Sequence, residues 1–193
     1  MKLQLNLIAP LLFLPLVRLL LVGVVLNTLC FAAEPPKSLA GYGKTSWGMS
    51  PAEVLLAEAP RAVRLAKPDK YKDAWGVVRI PQISIGSNNF NVEFLFDSVE
   101  GKLGQVLVKS TEEKNVGINI DTYRALEHLL VGKYGPPTFR SDAPARAEGH
   151  HLISWKLEQT TIELDHMFIP QIMTYVAIAY RPTATSVEVT KDL

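Results

Sequence analysis

The 193-residue sequence predicts an α+β fold, one antiparallel sheet with two helices on one face. Two observations carry this expectation. Helix starts stand at Ser50 and Asp121, and each is followed by three runs in which apolar residues alternate with polar ones. A sheet of six such strands with both helices on one face would bury the apolar sides together and leave the other face wet. The repeated order suggests a duplicated α-β-β-β unit, residues 47–110 and 119–181.

An apolar run from Leu7 to Ala33, broken by Arg18, opens the chain, with Lys2 before it and Ala32, Ala33, Glu34, Pro35 and Pro36 at its end. This is the pattern of a secretory signal: a basic start, an apolar stretch and small residues for cleavage. Cleavage after Ala32 sets Cys30 and Ala32 at the two small positions, whereas cleavage after Ala33 sets bulky Phe31 at one of them. Residues 1–32 are therefore expected to be a signal peptide. The competing expectation is an uncleaved anchor, since the run is long enough for a hydrocarbon layer of ~30 Å. Arg18 near its middle opposes that by about 2.5 to 3.5 kcal/mol. Leu29 before Cys30 is too large for a lipid-attachment signal.

Residues 33–46, with Pro35, Pro36, Gly41 and Gly43, read as a flexible linker. Order is expected from Trp47. Ser50 can accept from first-turn amides, Pro51 suits the first helical position and Glu53 completes a capping box, so a short helix runs to about Ala59 and stops at Pro60. Trp47 is expected to staple the entering chain to the core. Trp75 to Ile85 then reads as a bulged edge strand, because its apolar phase slips across Pro81. Phe90 to Phe96 alternates through Val92, Phe94 and Phe96, and a turn at Gly101-Lys102 leads into Leu103 to Lys109, forming a hairpin.

Asp121 can cap the second helix, in which Tyr123, Leu126, Leu130 and Tyr134 lie near one face and Gly135-Pro136-Pro137 ends the element. Thr138 to Gly149 reads as a loop. Strands follow at Leu152 to Glu158, Thr161 to Phe168 and Ile172 to Arg181, the first two joined by a tight turn at Gln159-Thr160. Residues 182–193 read as a loose polar tail. The domain is thus 47–181.

Twenty basic and 19 acidic residues leave the whole chain near neutral. Without Lys2 and Arg18 the mature chain holds 18 basic against 19 acidic residues, which argues against a nucleic-acid partner. Cys30 is the single cysteine, so a chain that loses its leader has no disulfide, thiolate ligand or cysteine nucleophile.

The Trp47-Gly48-Met49-Ser50 helix start with Glu53 and Val54, together with Lys133-Tyr134-Gly135-Pro136-Pro137, resembles small exported bacterial proteins of unknown function. The Gly-Met-Ser-x-x-Glu-Val core is similar to the helix start of the SmpA/OmlA (BamE-like) envelope proteins, and the paired order of elements resembles the β-lactamase-inhibitor-protein fold. The resemblance implies a periplasmic or cell-surface binding module whose sheet or loops contact another protein. The chain departs from the BamE-like pattern in having no usable lipid-attachment cysteine.

Candidate chemistry is sparse. Gly43-Lys44-Thr45 matches the end of a phosphate-binding loop, but Ser38 stands where that motif needs glycine and no strand precedes it. His150, His151 and His166 are the nearest approach to a metal constellation, with Glu148 and Asp165 beside them. Neighbouring strand residues point to opposite faces, so His150 and His151 are not expected to converge, and His166 is in phase with Ile162 and Leu164. Glu93, Asp97 and Glu100 could pair as acid and base, though alternating charges on a wet strand face explain them more simply. The expectation is a non-enzymatic exported module, periplasmic in the first place, without cofactor. It would meet another envelope protein and touch membrane only through its leader. The alternatives are a small metal-dependent or hydrolytic enzyme using the three histidines, and a membrane-anchored protein that keeps its leader.

Overall fold

A computed structural model describes residues 40–141 and 149–184; the leader, its cleavage positions Ala32 and Ala33, and residues 185–193 lie outside them. The elements are α1 (Pro51–Ala57), β1 (Val63–Lys70), β2 (Trp75–Ile85), β3 (Asn88–Phe96), β4 (Leu103–Ser110), α2 (Val116–Tyr134), β5 (Phe139–Arg140), β6 (Gly149–Lys156), β7 (Thr160–Ile169) and β8 (Met173–Pro182). All eight strands form one sheet in the order β1-β2-β3-β4-β8-β7-β6-β5, antiparallel at each pairing.

This overturns the α+β expectation of two helices laid over a six-stranded sheet. The molecule is mostly β, with helices of only 7 and 19 residues. Two strands were missed, and they widen the sheet beyond what such helices cover. β1 has no alternating apolar phase and is largely exposed; β5 is two exposed residues within the segment read as loop. α1 meets β1 and β2 and buries only Pro51 and Val54, and α2 meets β7 and β8. The chain runs as a helix and four strands twice over, with β4 and β8 joined in the middle through Val106 opposite Tyr180 and Val108 opposite Ile178.

The first helix starts as its residues dictate: Ser50 Oγ accepts from the Glu53 amide at 3.4 Å, and Glu53 Oε2 accepts from the Ser50 amide at 2.7 Å. The second starts six residues before the expected cap. Asn115 accepts from the Ile118 amide at 3.1 Å, and Asp121 lies within the helix, exposed, 3.7 Å from Arg124. Asn115 and Asp121 are both competent caps. The earlier one wins because Asn119 and Thr122, one turn on, are buried against the sheet and extend the packed face towards the N-terminus. At the far end Gly135, with φ +81° and ψ −166°, takes an extended positive-φ backbone that favours glycine, and its amide donates to Val131 O where α2 stops.

β2 is not the edge strand it was expected to be, since β1 flanks it. Pro81 is accommodated because β1 begins opposite Arg79, leaving the second half of β2 without an outer neighbour, and the register shifts between Ile80 and Ile83. Of the expected linker, residues 33–39 lie outside the described residues and 40–46 are ordered. Residues 40–46 are tied in by the Trp47 amide on Ala40 O and the Thr45 amide on Tyr42 O, and Tyr42 packs edge-on to Phe94 and Tyr180 at 6.2 and 5.1 Å.

One face of the sheet carries the core. Val92, Phe94 and Phe96, Val106 and Val108, Ile153 and Trp155, Ile162 and Leu164, and Val176 and Ile178 alternate inward, joined by Val54 and by Tyr123, Leu126, Leu130 and Tyr134 of α2. Each such side chain contributes about 1.5–3 kcal/mol on burial. The residues between them form the opposite face of β3, β4, β8 and β7, on which no helix among the described residues packs.

Candidate functional site

The three histidines separate into two places. His151 on β6 stands opposite His166 on β7, their rings stacked at 5.7 Å and 13°, both buried on the core face with Tyr123 of α2 beside them. His150, one residue earlier, points to the other face, where its Nε2 lies 2.8 Å from Asp165 Oδ1. The sheet therefore passes between them, and no open position is shared by all three. Among the described residues no group of three or more His, Cys, Asp or Glu is placed to hold a metal ion.

The other chemical candidates are occupied by their own neighbours. The Lys44 amide donates to Glu58 Oε1 at 2.9 Å, and Arg61 grips the other carboxylate oxygen at 2.6 Å, so the Gly43-Lys44-Thr45 loop wraps a fully buried side chain of the protein itself. Glu93 is held by Arg79 at 2.5 Å and by the Tyr71 hydroxyl, Asp97 accepts from the Lys102 amide at 2.9 Å within a turn, and Glu100 pairs with Arg64. These three carboxylates form no acid–base pair.

What the sequence did not suggest is a hollow of about 530 Å³ on the open face. Its floor is the middle of the sheet, Leu107 of β4 opposite Ala179 of β8 and Lys109 opposite Ala177. Alanine is depleted in strands because it offers a pleated surface little to pack. Two alanines on the outward phase of a central strand leave a depression between the larger side chains around them. Both are buried, at 3% and 6% exposed, although no helix among the described residues lies on this face.

The walls combine apolar and polar groups. Tyr175, Met173 and Leu152 stand at one end and Tyr71, Gln105 and Arg181 at the other. The Tyr175 hydroxyl donates to Asp165 Oδ2 at 3.1 Å, and burial followed by the Asp165 charge pushes the phenol up to about 12. Burial, and then the bond to Glu93, raises Tyr71 well above its ordinary range. The carboxylates sit low and their partners high: Asp165 and Glu163 are 20% and 24% exposed, His150 and Arg181 50% and 48%. Lys109, bonded at 3.1 Å to Glu113 outside the hollow, adds a third basic group to the rim. A second hollow of about 400 Å³, bordered by Asp73 and Asp97, shares Tyr71, Gln105 and Leu107 with the first, so the two form one trough across the strands.

The outward alternation of Tyr175, Ala177, Ala179 and Arg181 was the available signal: small residues where a solvated strand carries larger polar ones. Comparison with known protein families, curated proteins and solved structures finds nothing that matches this chain.

Proposed function

We propose that this chain is an exported, non-enzymatic binding module whose open sheet face receives a projecting segment of another envelope protein. The observation that carries the reading is the hollow over Ala177 and Ala179, walled by Tyr71, Tyr175, Met173, Leu152 and Arg181. Tyrosine, arginine and methionine around a small-residue floor are the composition of an interface centre, where an inserted side chain gains most of its energy by leaving water. Lys109 and Arg181 are the fixed cations lining the hollow, so the segment is an apolar tip with an acidic flank facing them. Export is supported by the Lys2, Leu7–Ala33 and Ala32 pattern, and the resemblance of the Trp47–Val54 helix start to BamE-like envelope proteins points the same way.

The experiment places a photo-crosslinking residue at Gln105 in the full chain and compares it with one at Arg124 on the exposed side of α2. The reading expects one partner, captured in stoichiometric amount from Gln105 and lost with Ala179→Trp or Arg181→Glu while Tm stays within about 2 °C. Capture that survives Ala179→Trp, or that comes from Arg124 alone, overturns it. Mass measurement of the exported product is expected to show an N-terminus at Ala33; an intact leader overturns cleavage.

A further inference from the structure

We infer that His151 and His166 form an acid-released latch that holds the N-terminal half of α2 against the sheet. The pair lies on the core face, 4% and 2% exposed, and Tyr123 of α2 closes over both rings at 6.4 and 5.8 Å. A directed hydrogen-bond chain ties the pair to the helix start. Asn119 Nδ2 donates to Glu112 O at 3.0 Å and to Thr174 Oγ1 at 3.3 Å, and Thr174 Oγ1 lies 3.3 Å from His166 Nε2. The Thr174 amide donates to Glu113 O at 3.1 Å, fastening the same segment to the start of β8.

The chain closes in one direction when His166 is a neutral imidazole with an unprotonated Nε2. Thr174 already accepts from Asn119, so its hydroxyl proton is free to go to a lone pair on His166 Nε2. The imidazolium carries protons on both ring nitrogens, so its Nε2 can only donate to Thr174 Oγ1, and the hydroxyl proton then loses His166 as its acceptor in a buried site. The surroundings do not compensate. His151 Nε2 and Asn119 Oδ1 are buried without a hydrogen-bond partner, and a second proton on His151 would set two cations 5.7 Å apart.

The charged and titratable groups facing the pair leave it little help among the described residues. From α2 comes Tyr123, whose phenol burial pushes up to about 12, so it stays neutral. Glu127 of α2 and Arg140 of β5 are bound to each other. From β7 comes Asp165, across the sheet, whose Oδ2 accepts from Tyr175 of β8 and whose Oδ1 lies 2.8 Å from His150 Nε2 of β6. Burial lowers His166 below the ordinary histidine value, His151 lowers it further, and Asp165 only partly opposes them. A histidine depressed in the folded state contributes stability that is complete above about pH 6.5 and is lost as pH falls through the folded value, because the unfolded chain binds the proton first.

The test follows Tm from pH 8 to pH 4.5, with hydrogen exchange of α2 and NMR titration of the imidazole protons. The wild type is expected to lose about 3 °C or more of Tm between pH 7.5 and 5, with exchange accelerating in the first turns of α2 before β3 and β4. The His151→Phe/His166→Phe variant is expected to abolish that step. A wild-type Tm that is flat over this range, or an equal drop in the double variant, overturns the latch. If the variant fails to fold, the wild-type titration decides: both imidazoles protonated at or above pH 6.5 with α2 exchange unchanged would also overturn it. None of these readouts depends on the open-face docking proposal.

Discussion

The indole of Trp47 donates to Thr160 Oγ1 at 3.0 Å and to Gln159 O at 3.2 Å, joining the residue that leads into α1 to the turn between β6 and β7 in the other half of the chain. A hydrophobic staple was expected of this tryptophan, and it is also a polar clasp. Trp47→Phe keeps the ring and removes the donor. The expected loss is about 1–2 kcal/mol, read as a lower midpoint in urea with unchanged slope. A midpoint within error of wild type would show that the clasp contributes nothing.

Glu58 is fully buried and holds Arg61 and the Lys44 amide, so removing either kind of partner should be costly. Arg61→Met leaves a carboxylate without its cation. A fully buried pair broken this way costs about 3–5 kcal/mol, and the half-exposed Arg61 places the expected loss nearer 2 kcal/mol. Gly43→Ala should be comparable in sign, because its φ is +59° and a Cβ there would stand 2.5 Å from Glu58 Oε1. Thermal denaturation of both variants checks this, and unchanged Tm in Arg61→Met would dismiss the buried pair as a stabilising element.

The position of the second cap separates two substitutions of similar chemistry. Asn115→Ala removes the acceptor for the Ile118 amide and is expected to cost about 1 kcal/mol. Asp121→Ala, inside the helix and exposed, should stay within about 0.5 kcal/mol of wild type. Chemical denaturation of the two side by side gives the answer; the reverse ranking would return the helix start to Asp121.

Alkaline titration reports on a wall of the hollow. The folded-state phenol of Tyr175 is raised to about 12, so its contribution is complete below about pH 10 and is lost as pH rises from there through the folded value. Phenolate absorbance should show a late phase, shared with Tyr71 and Tyr123, that loses one tyrosine's amplitude in Tyr175→Phe, whose Tm should also fall less steeply above pH 10. A Tyr175→Phe protein with the same late phase would place that group elsewhere.

Much of the architecture was legible in local pattern. Period-two alternation located six strands, Ser50 with Glu53 located the first helix, and Gly135 located the end of the second, because each depends on contacts within a few residues. β1 and β5 were not legible. An edge strand is held by backbone hydrogen bonds to one neighbour, and neither segment here needs an apolar phase. Asp121 was a sound local cap that lost to Asn115 once tertiary burial of Asn119 and Thr122 lengthened the packed helix.

By itself the sequence determined the leader pattern, the absence of a mature cysteine upon its removal, the alternating strands and the separation of His150 from His151, all consequences of short-range order. Tertiary structure alone decided that the sheet has eight strands, that His151 meets His166, that Glu58 fills the Gly43–Thr45 loop and that Ala177 and Ala179 floor a hollow. Those outcomes depend on contacts between segments far apart in the chain, and a one-residue slip in strand pairing would have turned His151, His166, Ala177 and Ala179 to the opposite face.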